Sequence, residues 1–388
     1  SLFWITEMVY GARTPDALNE LDILTAREAA KFQKAHDYLL TVRVHLHDIA
    51  GRGEERLHFD VQPALAERLG YRHRDNAKAV ERFMKHYFLV TRDVGDLTRI
   101  ICAAIEARDD QKKGHKKGPS GLSVLNGRLC FPESTDIREH PDMILKLFHA
   151  AQDSGLDIHP FALREVTRNL RAATRALRRS KAARKLFLDI LLDNKDAALT
   201  LRRMNEAGVL GRFIPDFGRV NALMQFDRYH VFTVDEHTIR AIDVLHKIED
   251  GVVKDEAPLA SALIHEIGNR RALFVAMFLH DICKGMGGDH ALLGAELALE
   301  FCPRFGLTDT ETRLVSWLVF DHLVMSATAF KRDLEDPKTI DDFVFRVYAP
   351  ERLNLLLVLT TADIMAVGPE RWTAWKAKLL EELYYKAI

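Results

Sequence analysis

The residues best suited to chemistry lie in the string HDICKGMGGDH at positions 280–290. A histidine and an aspartate stand side by side after an apolar run, and a second acid–histidine pair follows a glycine-rich turn. Imidazole and carboxylate groups are ligands for divalent transition metals. A buried carboxylate needs a partner or a metal, because desolvating it alone is too costly. From His280 and Asp281 alone, a metal site and a hydrogen-bonded helix end are equally good interpretations.

A similar string, HDIAGRG, occurs at positions 47–53. A His-Asp dipeptide by itself therefore does not predict a metal site. The string at 47–53 ends a long amphipathic helix predicted over residues 26–50, in which histidines and aspartates are scattered among exposed charges. No matching set of inward-facing ligands follows it downstream. We therefore expect no metal at His47 and Asp48.

Three residues on other predicted helices point toward a core. His237 and His322 each share a face with apolar residues at helical spacing, and Asp363 lies among leucines. A lone inward histidine is most often a satisfied core residue, whereas an inward aspartate always needs a partner. Their joint occurrence favours one shared site. The helices are predicted over 235–248, 314–329 and 353–368.

Residues 280–290 are expected to supply ligands to the same shared site. Residues 270–283 are apolar almost all round, which predicts a buried helix that Gly285 ends. His280 and Asp281 then lie in its last turn, and His290 can fold back over the site. Mixed nitrogen and oxygen ligands suit Mn, Fe or Co, with Zn or Mg also compatible. These ligands suffice for two metals, and Asp281 is the candidate bridge between them. The candidate ligands are His237, His280, Asp281, His290, His322 and Asp363.

Composition limits the remaining functions. The 388 residues exceed one ordinary core, and a net charge of −1 gives no general attraction to nucleic acid or membranes. No apolar run approaches the roughly 20 residues of a membrane span. The four cysteines form no CxxC pair, which indicates a reducing, cytoplasmic setting. The start lacks a basic segment and an initiator Met, so we expect no signal peptide and a longer chain upstream.

Helical periodicity dominates the whole chain, so the predicted fold class is all-α. Residues 110–125 are predicted to form a loop, and they lack the GxxxxGK[ST] order of a phosphate-binding P-loop. A small hairpin is predicted at 123–131 around Asn126-Gly127. The basic stretch at 168–187 is better explained as a solvated helix face than as an anion site.

The ligand pattern, a histidine, then His-Asp, then a distant aspartate, resembles the HD-domain metal-dependent phosphohydrolases. His290 and His322 resemble the additional ligands of the dinuclear branch. Longer strings, such as FLHDICKGMGGDHALLGAELA and LTTADIMAVGPERWTAWKAKLLEELY, resemble the bifunctional uridylyltransferase/uridylyl-removing enzymes. That family modifies the PII nitrogen signal protein, and the resemblance covers essentially the whole chain.

The resemblance implies a domain organisation. It predicts a helical region of the uridylyltransferase part over 1–140, a helical linker over 141–229 and an HD helical bundle over 230–388. The family's nucleotidyltransferase core has no counterpart in these residues. Neither do its C-terminal ACT domains, in which glutamine sensing is expected. We therefore expect a fragment of a longer enzyme.

The resemblance also implies a reaction, which is hydrolysis of the phosphodiester that joins UMP to a tyrosine of PII. It assigns His237, His280, Asp281 and Asp363 to a first metal, and Asp281, His290 and His322 to a second. Asp281 and Lys284 are the candidate catalytic residues. Lys284 would hold a phosphate oxygen, and a solvated lysine at a helix end is an equally good interpretation.

Two other classes of function remain open at this point. The same ligands would serve a hydrolase of free nucleotides or cyclic dinucleotides, although Lys284 stands where guanosine-tetraphosphate hydrolases usually have an acidic pair. The other class is a non-catalytic HD scaffold, against which the complete ligand set argues. The expected partner is uridylylated PII, with no nucleic acid or membrane.

Overall fold

Helices account for nearly all of the secondary structure, which confirms the predicted all-α class apart from one small antiparallel sheet. The computed structural model describes residues 2–74, 77–109, 116–226, 232–368 and 370–388. The chain divides into two compact units, Ser1–Leu177 with Glu206–Arg212, and Arg178–Asn205 with Phe213–Ile388. None of the described helices combines the length and apolar character needed to cross a bilayer.

The first unit has its core where α2, α3 and α5 meet, around Leu18, Phe32 and Ile101. A capping box of Thr25 and Glu28 begins α3, because each side chain accepts a hydrogen bond from the other residue's backbone. The first part of the chain contains α1 (Leu2–Tyr10), α2 (Pro15–Glu20), α3 (Ala26–Ala50), α4 (Gln62–Arg68), α5 (Ala79–Asp109), β1 (Lys116–Lys117), β2 (Ser123–Leu125), β3 (Arg128–Cys130), α6 (Met143–Ser154) and α7 (Pro160–Arg179).

The predicted hairpin is confirmed. Strands β2 and β3 pair antiparallel, with Leu125 opposite Arg128. Between them Asn126 and Gly127 have φ of 51° and 76°, the left-handed conformations that a tight two-residue turn requires. Strand β1, which was not predicted, lies within the predicted loop and pairs with β2. Residues 110–115 of that loop lie outside the described residues.

The second unit is built around one helix that is buried on every side. Residues 272–279 of α14 are all buried, as predicted, and Phe278 stacks on Phe217 with ring centroids 5.2 Å apart. Helix α10 (Val209–Phe213) lies almost entirely in the first unit. The remaining helices are α8 (Lys181–Leu192), α9 (Ala197–Glu206), α11 (Pro215–Val220), α12 (Val234–Glu249), α13 (Pro258–Leu263), α14 (Arg270–Leu279), α15 (His290–Arg304), α16 (Asp309–Asp321), α17 (Val324–Lys331), α18 (Pro337–Val347), α19 (Pro350–Ala366) and α20 (Ala374–Ala387).

An ion pair fixes the end of α12 against the start of α14. Arg270 Nη2 donates to Glu249 Oε2 at 2.7 Å and to the Leu192 carbonyl at 2.8 Å, while its guanidinium lies 4.5 Å from the centre of the Phe274 ring. Burial alone would raise the pKa of the Glu249 carboxyl, but hydrogen bonds from Arg270 and His246 outweigh it and lower this pKa to about 2.

This pair gives a pH-dependent contribution to stability. Because the folded pKa lies below the ordinary 4.5, the contribution is present above pH 4.5 and is lost as the pH falls toward 2. We expect Glu249→Gln to lower the free energy of unfolding by roughly 1–3 kcal/mol at pH 7 and to flatten its fall below pH 4.5. Urea titrations at several pH values measure this. The exposed Glu300→Gln is the control, and equal pH slopes for wild type and Glu249→Gln would contradict the expectation.

Candidate metal centre

The ends of five helices meet at one place in the second unit. His237 lies in the first turn of α12, His290 begins α15, and Asp363 lies in the last turn of α19. His280 and His322 are the residues that directly follow α14 and α16. All six predicted ligands come together here in two groups, and within each group the ligand atoms lie within 4.8 Å of one another. The first group is His237, His280 and Asp363, and the second is Asp281, His290 and His322.

Two details of the predicted helices are wrong. Helix α14 ends at Leu279, so His280 caps it and Asp281 lies beyond its last turn. The helix predicted over 314–329 is two helices, α16 and α17, separated at His322 and Leu323. Apolar periodicity continues through this break, which is why the sequence pattern did not reveal it. Both breaks place an imidazole at a helix end, where its ring can reach a neighbouring helix.

Asp281 connects the two groups through its two carboxylate oxygens. Its Oδ2 lies 3.2 Å from His280 Nε2 and 3.8 Å from His237 Nε2. Its Oδ1 lies 3.6 Å from His290 Nε2 and 3.9 Å from His322 Nε2. The carboxylate is only 2% exposed. Each oxygen therefore faces a different group, which is the arrangement of a bridging ligand.

Asp363 completes the first group from α19. Its Oδ1 lies 2.8 Å from His237 Nε2 and 3.6 Å from His280 Nε2. The side chain is 18% exposed, and that of His290 is 26% exposed, whereas the other ligands are nearly inaccessible. Solvent therefore reaches the centre beside Asp363 and His290, and this side is where a substrate would approach.

Backbone carbonyls fix the protonation of two imidazoles. His280 Nδ1 lies 2.7 Å from the Met277 carbonyl, and His322 Nδ1 lies 2.7 Å from the Val319 carbonyl. A carbonyl only accepts, so Nδ1 carries the proton in both rings. In the neutral ring the lone pair is then on Nε2, which faces Asp281. This second contact orients metal-binding histidines in many proteins. Helical spacing alone could not predict it.

The centre favours positive charge next to its carboxylates. Burial opposes charge on His280, but Asp281 and Asp363 outweigh it and raise the His280 pKa to about 10. Burial, together with the charge on His280, lowers the pKa of His322 to about 4. Burial would raise the pKa of both carboxyls, yet the surrounding cations hold both well below their usual range.

The donor set fits divalent cations. Within the described chain, Asp281 Oδ1 and His290 Nε2 are buried and have no hydrogen-bond partner. Leaving such atoms unpaired costs free energy, and a cation between them would satisfy both. Imidazole and carboxylate donors together suit Mn, Fe, Co or Zn.

Lys284 lies closer to the centre than a solvated helix-end lysine would. Its Nζ is 2.6 Å from Asp281 Oδ2, and the side chain is only 13% exposed. The chain returns toward the centre at Gly285, where φ is +78° and a Cβ would lie 2.9 Å from a methyl group of Leu223. The ammonium group thus lies beside the Asp281 carboxylate.

Asp289 positions His290 by capping α15. Its Oδ1 accepts hydrogen bonds from the backbone N–H groups of Ala291 at 2.9 Å and Leu292 at 3.4 Å. The helix therefore begins with His290 at its first position.

We expect Asp289→Ala to destabilise the protein by about 1 kcal/mol through loss of this cap. It should also weaken metal binding by the group that contains His290, because the ring loses its fixed position. Calorimetric titration with Mn would resolve the weakened site from the other. Asp289→Ser retains a capping oxygen and should restore both properties. Equal metal affinity in the wild type and Asp289→Ala would contradict this role.

The near-copy at 47–53 has a different environment. His47 lies 3.5 Å from Glu55, and Asp48 pairs with Arg68, all with substantially exposed side chains. In the described ranges, no group of three or more potential ligands includes these residues. The same two letters therefore lie on the solvent-facing side of α3 here and directly after the buried α14 at the centre.

One contact near the centre was not predicted. Arg346 Nε lies 2.5 Å from Asp321 Oδ1, and Asp321 is 4% exposed and directly precedes His322. The acid–histidine pair Asp321-His322 is visible in the sequence and was a usable signal. Its partner Arg346 lies on α18 and could not be identified without the fold.

Three family models match successive parts of the chain. Residues 1–102 match the family model GlnD PII-uridylyltransferase, and residues 123–213 match Uridylyltransferase GlnD third domain. Residues 234–367 match the HD domain model, and all six candidate ligands lie within this range.

Two relatives match the chain along its length. A bifunctional uridylyltransferase/uridylyl-removing enzyme of Azospirillum brasilense is 53% identical over 397 residues, covering 100% of this chain and 43% of the relative. The enzyme of the same name from Rhodospirillum rubrum is 52% identical, covering 99% of this chain and 42% of the relative. The chain thus spans less than half of these curated relatives. It belongs to the family of bifunctional uridylyltransferase/uridylyl-removing enzymes and carries the HD domain of that family.

Proposed function

We propose that this chain hydrolyses the phosphodiester between UMP and a tyrosine of the PII signal protein. The observation that carries the proposal is Asp281, whose two oxygens face separate groups of buried ligands. Both relatives are named as uridylyl-removing enzymes, which supports this reaction over hydrolysis of free nucleotides or cyclic dinucleotides. The complete set of six donors argues against a non-catalytic scaffold.

The proposal assigns two metals to the centre. His237, His280, Asp281 and Asp363 would hold one, and Asp281, His290 and His322 the other. Mn, Fe or Co suits these donors best, and Mg or Zn is compatible. When bound, such ions lower the pKa of water and neutralise charge on phosphoryl oxygens.

The chain's own residues do the remaining work. Burial keeps bulk water away from the side chains of His280, His322 and Asp281. Electrostatic interactions with these groups are therefore stronger than they would be in water. The phosphodiester would enter beside His290 and Asp363. Lys284, already next to Asp281, would donate to a non-bridging phosphate oxygen. The leaving tyrosine oxygen has a pKa of about 10, so it departs with modest assistance.

The proposal includes a reducing, cytoplasmic location. None of the four cysteines forms a disulfide within the residues that the structure describes, and three of them are buried. Uridylylated PII would be the partner.

The test is to incubate the chain with uridylylated PII and Mn and to measure UMP release. We expect release from wild type and none from Asp281→Ala. If both are equally inactive on the protein while the wild type hydrolyses free nucleotides rapidly, the assigned substrate is wrong. Absence of metal in protein purified without chelators would instead favour the scaffold.

A further inference from the structure

A group of large apolar side chains lies in solvent beside the metal centre. We define the aromatic face as Phe320, Leu323, Phe345 and Tyr348, which are 40%, 45%, 87% and 83% exposed. Scattered apolar residues are normal on surfaces, but two nearly fully exposed aromatic rings one helical turn apart are not. Such residues commonly mark a surface that another molecule covers.

Contacts connect this face to the ligand His322. Phe320 and Leu323 flank the pair Asp321-His322 in the chain. Arg346 pairs with Asp321 at 2.5 Å and also lies 5.6 Å from the centre of the Phe320 ring. The same arginine therefore holds the end of α18, with Phe345 and Tyr348, against the end of α16. The part of the aromatic face formed by Phe320 and Leu323 therefore adjoins the segment that carries the ligand His322.

The backbone at Tyr348 is strained. Its φ is +70°, a region that a bulky side chain rarely adopts, and its N–H still donates to the Val344 carbonyl at 2.8 Å. Tyr348 caps the C-terminus of α18, and the residue is 83% exposed, so the unit itself covers little of its ring. A role in contacting another molecule accounts for this exposure.

The size of the face indicates what kind of molecule covers it. With aromatic side-chain areas of about 150–250 Å², the four side chains expose roughly 500 Å². A stable protein interface buries about 800 Å² on each partner, so this face is too small to hold a permanent dimer by itself. It suits a transient contact, such as that between an enzyme and a protein substrate.

We propose that the aromatic face docks the protein that carries the phosphodiester, through apolar side chains near its modified tyrosine. This rests on the function proposed above and adds where the protein is recognised. The face would bind the protein part of the substrate, while the metal centre binds the nucleotide phosphate. Recognition and hydrolysis then depend on different residues and can be separated by experiment.

The test compares a protein substrate with a small one. The double variant Phe345→Ser, Tyr348→Ser should raise KM for uridylylated PII about tenfold or more, since interface aromatics contribute on the order of 1 kcal/mol each. Its kcat/KM for the p-nitrophenyl ester of UMP should not change. Metal content and thermal unfolding should match wild type, because both rings are in solvent.

Val252→Ser is the matched control. Val252 is 68% exposed and lies past the end of α12, about 18 Å along the helix from His237. It should change neither reaction. An unchanged KM for the protein in the double variant, or an equal loss on the small ester, would overturn the docking role while leaving the proposed function intact.

Two further outcomes would also overturn the docking role. A lower molecular mass of the double variant in sedimentation would assign the face to a second copy of the chain. If wild-type protein hydrolyses the ester but not uridylylated PII, the proposed function itself fails, and the docking role fails with it.

Discussion

Asp281→Asn is expected to abolish metal binding by both ligand groups and to reduce hydrolysis at least a thousandfold. The substitution keeps the size of the side chain but removes the charge that faces both groups, at 3.2 Å from His280 and 3.6 Å from His290. Metal ions contribute several kcal/mol to phosphoryl transfer, and about 4 kcal/mol corresponds to a thousandfold in rate. Metal content by mass spectrometry and UMP release measure the two effects.

Asp321→Asn is the control for this prediction. Asp321 is as buried as Asp281 and also pairs with a cation, Arg346, but it belongs to neither ligand group. It should lower stability and leave the metal content unchanged. Full metal content in Asp281→Asn would show that this carboxylate does not bridge the two groups.

His322→Ala is expected to lower the metal content from two ions to one per chain. The substitution removes one donor of the second group, and the first group retains His237, His280 and Asp363. Hydrolysis should fall about a hundredfold or more, since both ions act on the same phosphoryl group. Metal analysis after dialysis against a weak chelator gives the stoichiometry directly.

His246→Ala separates this effect from the general cost of removing a buried histidine. His246 lies 3.2 Å from the Leu191 carbonyl, packs on Phe274 and takes no part in the centre. We expect it to destabilise the protein while retaining two ions. If wild type itself binds only one ion, the two-metal assignment is wrong, whatever the variants do.

Helical spacing was sufficient to predict the class of fold and the burial of the ligands. His237, His322 and Asp363 could be placed on inward faces because an apolar stripe repeats at 3.6 residues. The same rule predicted α14 as buried. These inferences depend only on the spacing of apolar residues within one helix, which can be read directly from the sequence.

Contacts between distant segments could not be predicted in this way. Nothing in the spacing shows that Arg346 pairs with Asp321, or that α16 ends at His322 while the apolar pattern continues. The division of the Asp281 oxygens between two groups also depends on how five helices pack. The near-copy at 47–53 makes the same point, since its letters match but its surroundings do not.

The ligands come from helix ends that are far apart in the chain, and this affects how the second unit folds. His237 and Asp363 touch across 126 residues of sequence. During synthesis the first ligand group cannot form until Asp363 has left the ribosome, so metal binding by that group would be a late event that requires nearly the whole unit. A metal ion at a hundred times its Kd would then add about 2.7 kcal/mol at that site to the stability of the complete unit.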